Sequence, residues 1–169
     1  MPAALTTFSR FSRSSTIGKI CKLCIAVFIG LTGLFQLPAH AENNYFGIHG
    51  PSYHDGGQFN NANYGLYLVH QGFTGGFYDN SLNRQTFYLG YAREWDLPAN
   101  PLIDSISLMG SLATGYYTEQ TPYEWMPMGA LSFKHSFDSQ HGMRLSYLPG
   151  VGKSTANYVL HLSYEFRLK

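Results

Sequence analysis

The feature that most constrains this fold is a regular alternation of apolar and polar side chains within short segments of the chain. The last segment shows it most clearly. One of its faces carries Tyr158, Leu160, Leu162, Tyr164, Phe166 and Leu168, and the other carries Asn157, Val159, His161, Ser163, Glu165 and Arg167. Successive side chains of a β-strand point to opposite faces, so a period of two predicts a strand.

Similar segments recur after residue 41, separated by breaks rich in Gly, Asn and Pro, with no convincing helical period between them. They predict an all-β, antiparallel fold of eight strands: 44–53, 63–70, 71–79, 85–95, 102–117, 127–137, 141–149 and 156–168. A tilted strand of about 9–11 residues is long enough to cross a membrane. Eight strands closed into a barrel leave room only for side chains or one small ligand, which argues against an open porin channel.

The first 41 residues have the three parts of a secretory signal peptide. They contain no Asp or Glu and carry the cations Arg10, Arg13, Lys19 and Lys22. An apolar run over residues 23–34 follows, and the segment closes on the small-x-small sequence of residues 39–41. A transmembrane helix needs about 20 apolar residues, more than this run provides. We therefore expect cleavage after Ala41, with residues 42–169 forming one β-barrel domain.

The composition after residue 41 excludes several kinds of function. Cys21 and Cys24 lie in the signal peptide, so no disulfide, zinc–thiolate site or cysteine nucleophile is expected. The remaining chain has ten acidic residues against seven Lys and Arg, a net charge of about −3. Nucleic-acid binding favours the opposite sign, so no nucleic-acid partner is expected.

Alternation alone does not distinguish a soluble β-sandwich from a membrane barrel, because both have one apolar face. The signal peptide, 23 aromatic residues and only 17 charged side chains after residue 41 favour the barrel. Aromatic side chains form girdles at the two interfaces of such barrels, and polar and small side chains face the lumen. We expect a monomeric, multi-pass β-barrel in the outer membrane of a Gram-negative cell, with its apolar face against the lipid bilayer.

Three blocks of sequence resemble the outer-membrane lipid A palmitoyltransferases, the PagP family. The first is Gly-Ile-His-Gly-Pro-Ser-Tyr-His at residues 47–54. The second is Gly-Phe-Tyr-Asp-Asn-Ser at residues 76–81, with Gly-Tyr at residues 90–91. The third is Leu-Ser-Tyr-Leu-Pro-Gly at residues 145–150, followed by Asn-Tyr-Val at residues 157–159.

The resemblance implies a catalytic site near the outer rim, built in that family from a His, an Asp and a Ser. The His corresponds to His54 and the Ser to Ser81. The Asp corresponds to Asn80, with Asp79 one residue earlier as a possible substitute. An amide can orient an imidazole but cannot stabilise its cation as a carboxylate does. The alternative is that these residues belong only to a polar loop and a turn.

The resemblance also implies a pocket for the acyl chain. In the family a Gly after Gly-Tyr forms the pocket floor and sets the accepted chain length, whereas here Ala92 follows Gly90-Tyr91. The alternation places Ala92 on the lumen face with Tyr88 and Gly90. The extra methyl group predicts a preference for a chain shorter than palmitoyl.

Prolines flank two lateral openings of the family's barrel, since they interrupt the hydrogen-bond ladder. Pro127 and Pro149 resemble one such pair. His49 and Asn63 occupy the corresponding positions at the other opening, which puts that opening in doubt. Pro127 and Pro149 could instead simply mark the ends of strands.

The function implied by the resemblance is transfer of a fatty acyl chain from a phospholipid donor to lipid A, without a metal or organic cofactor. Two alternatives stay open. A lipid A deacylase or other outer-membrane esterase would use His161 and Ser163, or His54 and Ser81 with water as the acceptor. The other alternative is a non-catalytic structural or adhesion barrel, in which His161, Ser163 and Glu165 are polar packing of the lumen.

Overall fold

A computed structural model describes residues 44–98, 101–116, 125–150 and 156–168, which all belong to one compact unit. They form a closed barrel in which every strand pairs antiparallel with its neighbours in sequence and β1 pairs with β8. The strands are β1 (Tyr45–His54), β2 (Gly65–His70), β3 (Phe73–Asp79), β4 (Gln85–Asp96), β5 (Ser105–Ala113), β6 (Met126–Ser136), β7 (His141–Pro149) and β8 (Tyr158–Arg167). No helix in these residues is long and apolar enough to cross a membrane.

The predicted fold class and all eight predicted strands are confirmed, with differences at their ends. The largest difference is in β5, expected over 102–117 and observed over Ser105–Ala113. Gly115, with a φ of +82°, takes a left-handed conformation just after β5 ends. The predicted signal peptide lies outside the described residues.

The barrel has two ends, which we name by what they carry. The terminal end holds the start of β1, the end of β8, the connection at 71–72, the described residues 97–98 and 101–104 of the next connection, and the turn at 137–140. In the last of these turns Asp138 accepts the backbone N–H groups of Gln140 and His141, which lowers the pKa of its carboxyl group. The loop end holds the connections at 55–64 and 80–84 and the described parts of the other two, residues 114–116, 125, 150 and 156–157.

The two faces of the strands differ as the alternation predicts. Outward-facing side chains are apolar and exposed, as with Leu89 at 70% and Phe73 at 68%. Inward-facing positions hold polar or small side chains that are buried, such as Thr86, Ser132, Ser163 and the 1% exposed Glu165. The barrel therefore has a polar interior and an apolar exterior, the reverse of a soluble barrel with an apolar core.

A β-bulge interrupts the alternation in β1. His49 pairs with Ser163 of β8 and Ser52 pairs with His161, so three steps along β1 match two along β8. The extra residue lies at Gly50-Pro51 and leaves both His49 and Ser52 facing the lumen.

The strand ladder is incomplete at two places near the loop end. The β6–β7 register stops at Leu131 and Tyr147, so residues 126–130 of β6 have no partner on β7 among the described residues. Pro127 lies in this unpaired stretch and Pro149 ends β7. The β1–β2 register stops at His49 and Gly65, although β1 continues to His54.

Candidate functional site

The lumen encloses a cavity of about 220 Å³ that extends along much of the barrel. Five of the residues predicted for the site line it: His54, Ser81, Tyr88, Ala92 and Pro149. The cavity lining does not include Asp79, Asn80, Gly90 and Pro127, the other residues of that prediction. The structure thus brings His54, the last residue of β1, and Ser81, in the connection between β3 and β4, to one cavity.

A buried ion network fills the lumen towards the terminal end. The guanidinium of Arg144 donates to Glu165 at 2.6 and 3.1 Å and to Oε2 of Glu94 at 2.9 Å. Lys134 Nζ lies 3.1 Å from the second Glu165 oxygen. We call these four residues the ion network. Arg144, Glu94 and Glu165 also line the cavity, and we call this part of the lining its polar floor.

Aromatic and serine side chains complete the partners of the ion network. The Tyr67 hydroxyl donates to Glu165 at 2.8 Å, and Ser107 Oγ accepts from Arg144 at 2.7 Å. Lys134 Nζ also lies 3.7 Å from the centroid of the Tyr45 ring. A buried charge is costly unless it is paired and hydrogen-bonded, and here each is.

His54 stands at the loop end of β1 and is oriented by a residue that the sequence did not indicate. Its Nδ1 lies 2.7 Å from Oδ1 of Asn61, and the Phe59 ring packs 5.3 Å away. Because a carboxamide oxygen only accepts, Nδ1 carries the proton and Nε2 keeps its lone pair in the neutral ring. Asn61 also accepts the backbone N–H of Ser52 through its carbonyl oxygen at 2.8 Å.

Asn80 holds its own turn together. It is fully buried, and its Nδ2 donates to Thr86 Oγ1 at 3.0 Å and to the carbonyl oxygen of Gly115 at 2.9 Å. Its Oδ1 accepts the backbone N–H groups of Leu82 and Arg84. These four bonds use the whole amide, so orientation of His54 comes from Asn61. Asp79 is exposed.

Ser81 reaches the cavity from the connection between β3 and β4. This connection is tied to the one between β1 and β2 by Asn60, whose backbone N–H donates to the Ser81 carbonyl oxygen at 3.0 Å. The Asn60 side chain also donates to the carbonyl oxygen of Asn80 at 3.3 Å. The connection that follows His54 and the connection that carries Ser81 are therefore braced against each other.

Three lumen-facing positions of β4 follow the course of the cavity. Tyr88 is buried in the wall of the cavity. Gly90 lies against the neighbouring strand, and a Cβ added to it would lie 2.5 Å from the Cβ of Ser111. Ala92 lines the cavity one inward position before Glu94 of the ion network. Ala92 thus stands where the cavity meets its polar floor.

Two residues of the alternative esterase prediction have different partners in the lumen. Ser163 Oγ lies 3.1 Å from the Tyr67 hydroxyl oxygen. The ring of His161 instead lies 2.7 Å from Ser52 Oγ through Nδ1 and 2.9 Å from His49 Nδ1 through Nε2. His49 Nε2 in turn lies 3.1 Å from the Tyr88 hydroxyl.

We call Ser52, His161, His49 and Tyr88 the lumen relay, since hydrogen bonds join them in that order and all four line the cavity. Sequence reasoning missed Ser52 and His49 as partners of His161. The Gly50-Pro51 pair was the available signal, because a bulge there is what turns both side chains inward. Among the described residues, no group of three or more His, Cys, Asp or Glu could hold a metal ion.

Comparison of the chain with protein-family models, with curated proteins and with solved structures gives no match in any of the three. The resemblance of the three sequence blocks to the lipid A palmitoyltransferases therefore stays a prediction.

Proposed function

We propose that this protein is an outer-membrane acyltransferase that moves a fatty acyl chain from a phospholipid to a hydroxyl group of lipid A. The observation that carries the proposal is the joint position of His54 and Ser81 on one lumen cavity. The cavity is the right kind of place for an acyl chain, since tyrosine, methionine and aliphatic side chains form much of its wall.

The exterior of the barrel supports its location in a bilayer. Apolar side chains are exposed around the strands, including Ile48, Leu68, Phe87, Leu89, Leu112 and Leu145. A large exposed apolar surface on a folded protein marks a membrane or protein interface. Lipid embedding accounts for a belt that runs around the outside of a closed barrel.

The incomplete ladders offer a path for the donor. A lipid that enters the lumen from the bilayer has to pass between two strands, where an intact ladder would block it. Residues 126–130 of β6 lack a partner on β7 among the described residues, and Pro127 has no N–H to offer one. The donor is proposed to enter there, with its ester near the loop end and its tail in the cavity.

The geometry of His54 suits a general base. Asn61 holds the proton on Nδ1, which leaves Nε2 to accept the proton of the lipid A hydroxyl as its oxygen attacks the acyl carbonyl carbon. The alcohol oxygen of the donor leaves with a proton as the lysophospholipid. Ser81, on the braced neighbouring loop, donates a hydrogen bond to the reacting oxygens.

A lipid A deacylase is the second candidate, because the 2.7 Å contact of Ser52 with His161 is also typical of hydrolases. In that reaction water, not a lipid hydroxyl, would accept the acyl group. The transferase adds an acyl chain to lipid A, whereas the deacylase removes one.

The test is mass spectrometry of lipid A from cells with and without this protein, together with His54→Ala and Ser81→Ala variants. We expect wild type to add one acyl chain and each variant to lose about 10²–10⁴-fold in rate. Ser139→Ala, in the exposed turn at the terminal end, is the matched control and should transfer normally. Loss of an acyl chain would favour the deacylase. An unchanged lipid A would contradict both functions.

Folding of every variant is checked by comparing the gel migration of unboiled and boiled protein and by circular dichroism in detergent. A heat-modifiable β-type protein is expected throughout. A helical spectrum of the purified chain, or its recovery as a soluble periplasmic monomer, would contradict the proposed location.

A further inference from the structure

The lumen relay contains a serine in hydrogen-bond contact with a histidine, and it is separate from the His54 and Ser81 pair. We infer that Ser52 is a nucleophile that takes the acyl group of a long-chain ester as a covalent intermediate, with His161 as its general base. His49 and Tyr88 are positioning residues behind His161. The inference deepens the proposed function and rests on it for the identity of the donor.

The hydrogen bonds of the lumen relay form one consistent chain of donors and acceptors. Ser52 donates to Nδ1 of His161, His161 Nε2–H donates to Nδ1 of His49, and His49 Nε2–H donates to the Tyr88 oxygen. In this assignment both rings are neutral. His49 then does for His161 what the third member of a catalytic triad does, since it fixes the tautomer and the ring plane.

Other lumen serines show that this contact is not a general property of polar packing. Ser132 pairs with Ser146, Ser163 with Tyr67, Ser105 with Glu94 and Ser107 with Arg144. Within the described residues, Ser52 is the lumen serine whose hydroxyl contacts an imidazole. The bulge at Gly50-Pro51 creates this contact, and bulges often re-aim side chains next to active sites.

Ser52 is also placed for access to an ester. It lines the cavity and lies three residues after His49, which is the last residue of β1 that pairs with β2. Met128, Leu148 and Val159 belong to the same cavity wall and provide apolar contact for a chain. His54 is two residues further along the same face, about 6–7 Å away in an extended strand.

The chemical step transfers one acyl group. Ser52 Oγ attacks the ester carbonyl carbon while its proton passes to Nδ1 of His161. The tetrahedral intermediate breaks its bond to the alcohol oxygen, which leaves with that proton as the free lysophospholipid. The acyl group remains on Ser52 as an ester. An acceptor hydroxyl, deprotonated by His161 or His54, then attacks the acyl carbon, and Ser52 Oγ regains a proton.

The experiment treats folded full-length barrel in detergent with dodecyl fluorophosphonate and locates the adduct by peptide mass spectrometry. We expect one adduct, on Ser52, formed as the serine oxygen displaces fluoride. Ser52→Ala should abolish it, and His161→Gln should slow it at least about 100-fold. Ser111→Ala is the matched control, since this inward, buried serine has no hydrogen-bond partner among the described residues and does not line the cavity. It should label at the wild-type rate.

His49 is tested by rescue. His49→Ala should slow labelling, and His49→Gln should recover part of the rate because its amide oxygen can accept the Nε2–H of His161. All variants must keep the heat-modifiable migration. Labelling of Ser81 instead of Ser52, no labelling of the folded barrel, or labelling that does not depend on His161 would each overturn the inference.

The inference and the proposed function fail separately. Labelling of Ser52 with no change in lipid A would support Ser52 as a nucleophile and contradict the transferase function. Acyl transfer to lipid A by the Ser52→Ala variant would support the transferase function and contradict the covalent intermediate. The acceptor would then attack the donor ester directly.

Discussion

The two halves of the lumen differ in what their polar side chains do. Towards the terminal end, Arg144, Lys134, Glu94 and Glu165 pair their charges closely, and neighbouring tyrosine and serine side chains complete their hydrogen bonds. Towards the loop end, the polar groups around the cavity are imidazoles, hydroxyls and amides. One alternating pattern therefore supplies an ion network in one half and the proposed reactive groups in the other. Stability should depend on the first half and activity on the second.

The largest expected effect is on stability, from Arg144→Ala in the ion network. This change leaves Glu165, 1% exposed, and Glu94 with much less positive charge nearby. Removing one partner of a buried ion pair costs about 3–5 kcal/mol. Denaturant unfolding in detergent should show this loss. Addition of Glu165→Gln to this variant should restore part of the lost stability. If Arg144→Ala is as stable as wild type, the ion network does not stabilise the terminal half of the barrel.

A smaller stability loss is expected from Asn80→Asp at the loop end. The substitution returns the acid found in the PagP family but removes two donors, to Thr86 Oγ1 and to the carbonyl oxygen of Gly115. Leaving buried acceptors unsatisfied costs about 1–3 kcal/mol. Unfolding should detect this cost at neutral pH. If the variant is equally stable and transfers acyl chains faster, Asn80 serves the reaction and not the turn.

Asn61→Ala should separate activity from stability. Asn61 is exposed, and the hydrogen bond that its side chain makes with His54 is worth about 0.5–1.5 kcal/mol, up to roughly tenfold in rate. Acyl transfer should fall by that factor, while the free energy of unfolding should fall by no more than this one exposed bond contributes. Asn61→Asp, which keeps an acceptor oxygen, should retain transfer. Equal activity in Asn61→Ala would show that His54 needs no orientation.

The smallest expected effect is on chain-length preference, at the junction of the two halves. Ala92 lines the cavity one inward position before Glu94, so Ala92→Gly deepens it by about one methylene, worth roughly 0.8 kcal/mol. Donor competition with phospholipids of graded chain length should shift towards longer chains by a few-fold. If wild type prefers sixteen carbons and the glycine variant shows no shift, Ala92 does not form the floor.

Most of the strand architecture was predictable because alternation is a local property. In the last segment, the side chains of Ser163 and Glu165 were expected on the lumen face, and both are buried there. The inward-facing side chains of β1 could not be predicted in the same way, because one extra residue at Gly50-Pro51 changes which later side chains face the lumen. A period of two cannot reveal such a shift, since the pattern on each side of it remains regular.

The sequence by itself determined the fold class, the eight strands, the inward face of β8 and the identity of His54 and Ser81 as candidates. Only the tertiary structure decided the partners. His161 meets Ser52 and His49 more than a hundred positions away, Asn61 and not Asn80 orients His54, and Arg144 joins Glu94 to Glu165. The physical reason is that side-chain direction follows from the local backbone, whereas contact across a barrel depends on the register of every strand between the two residues.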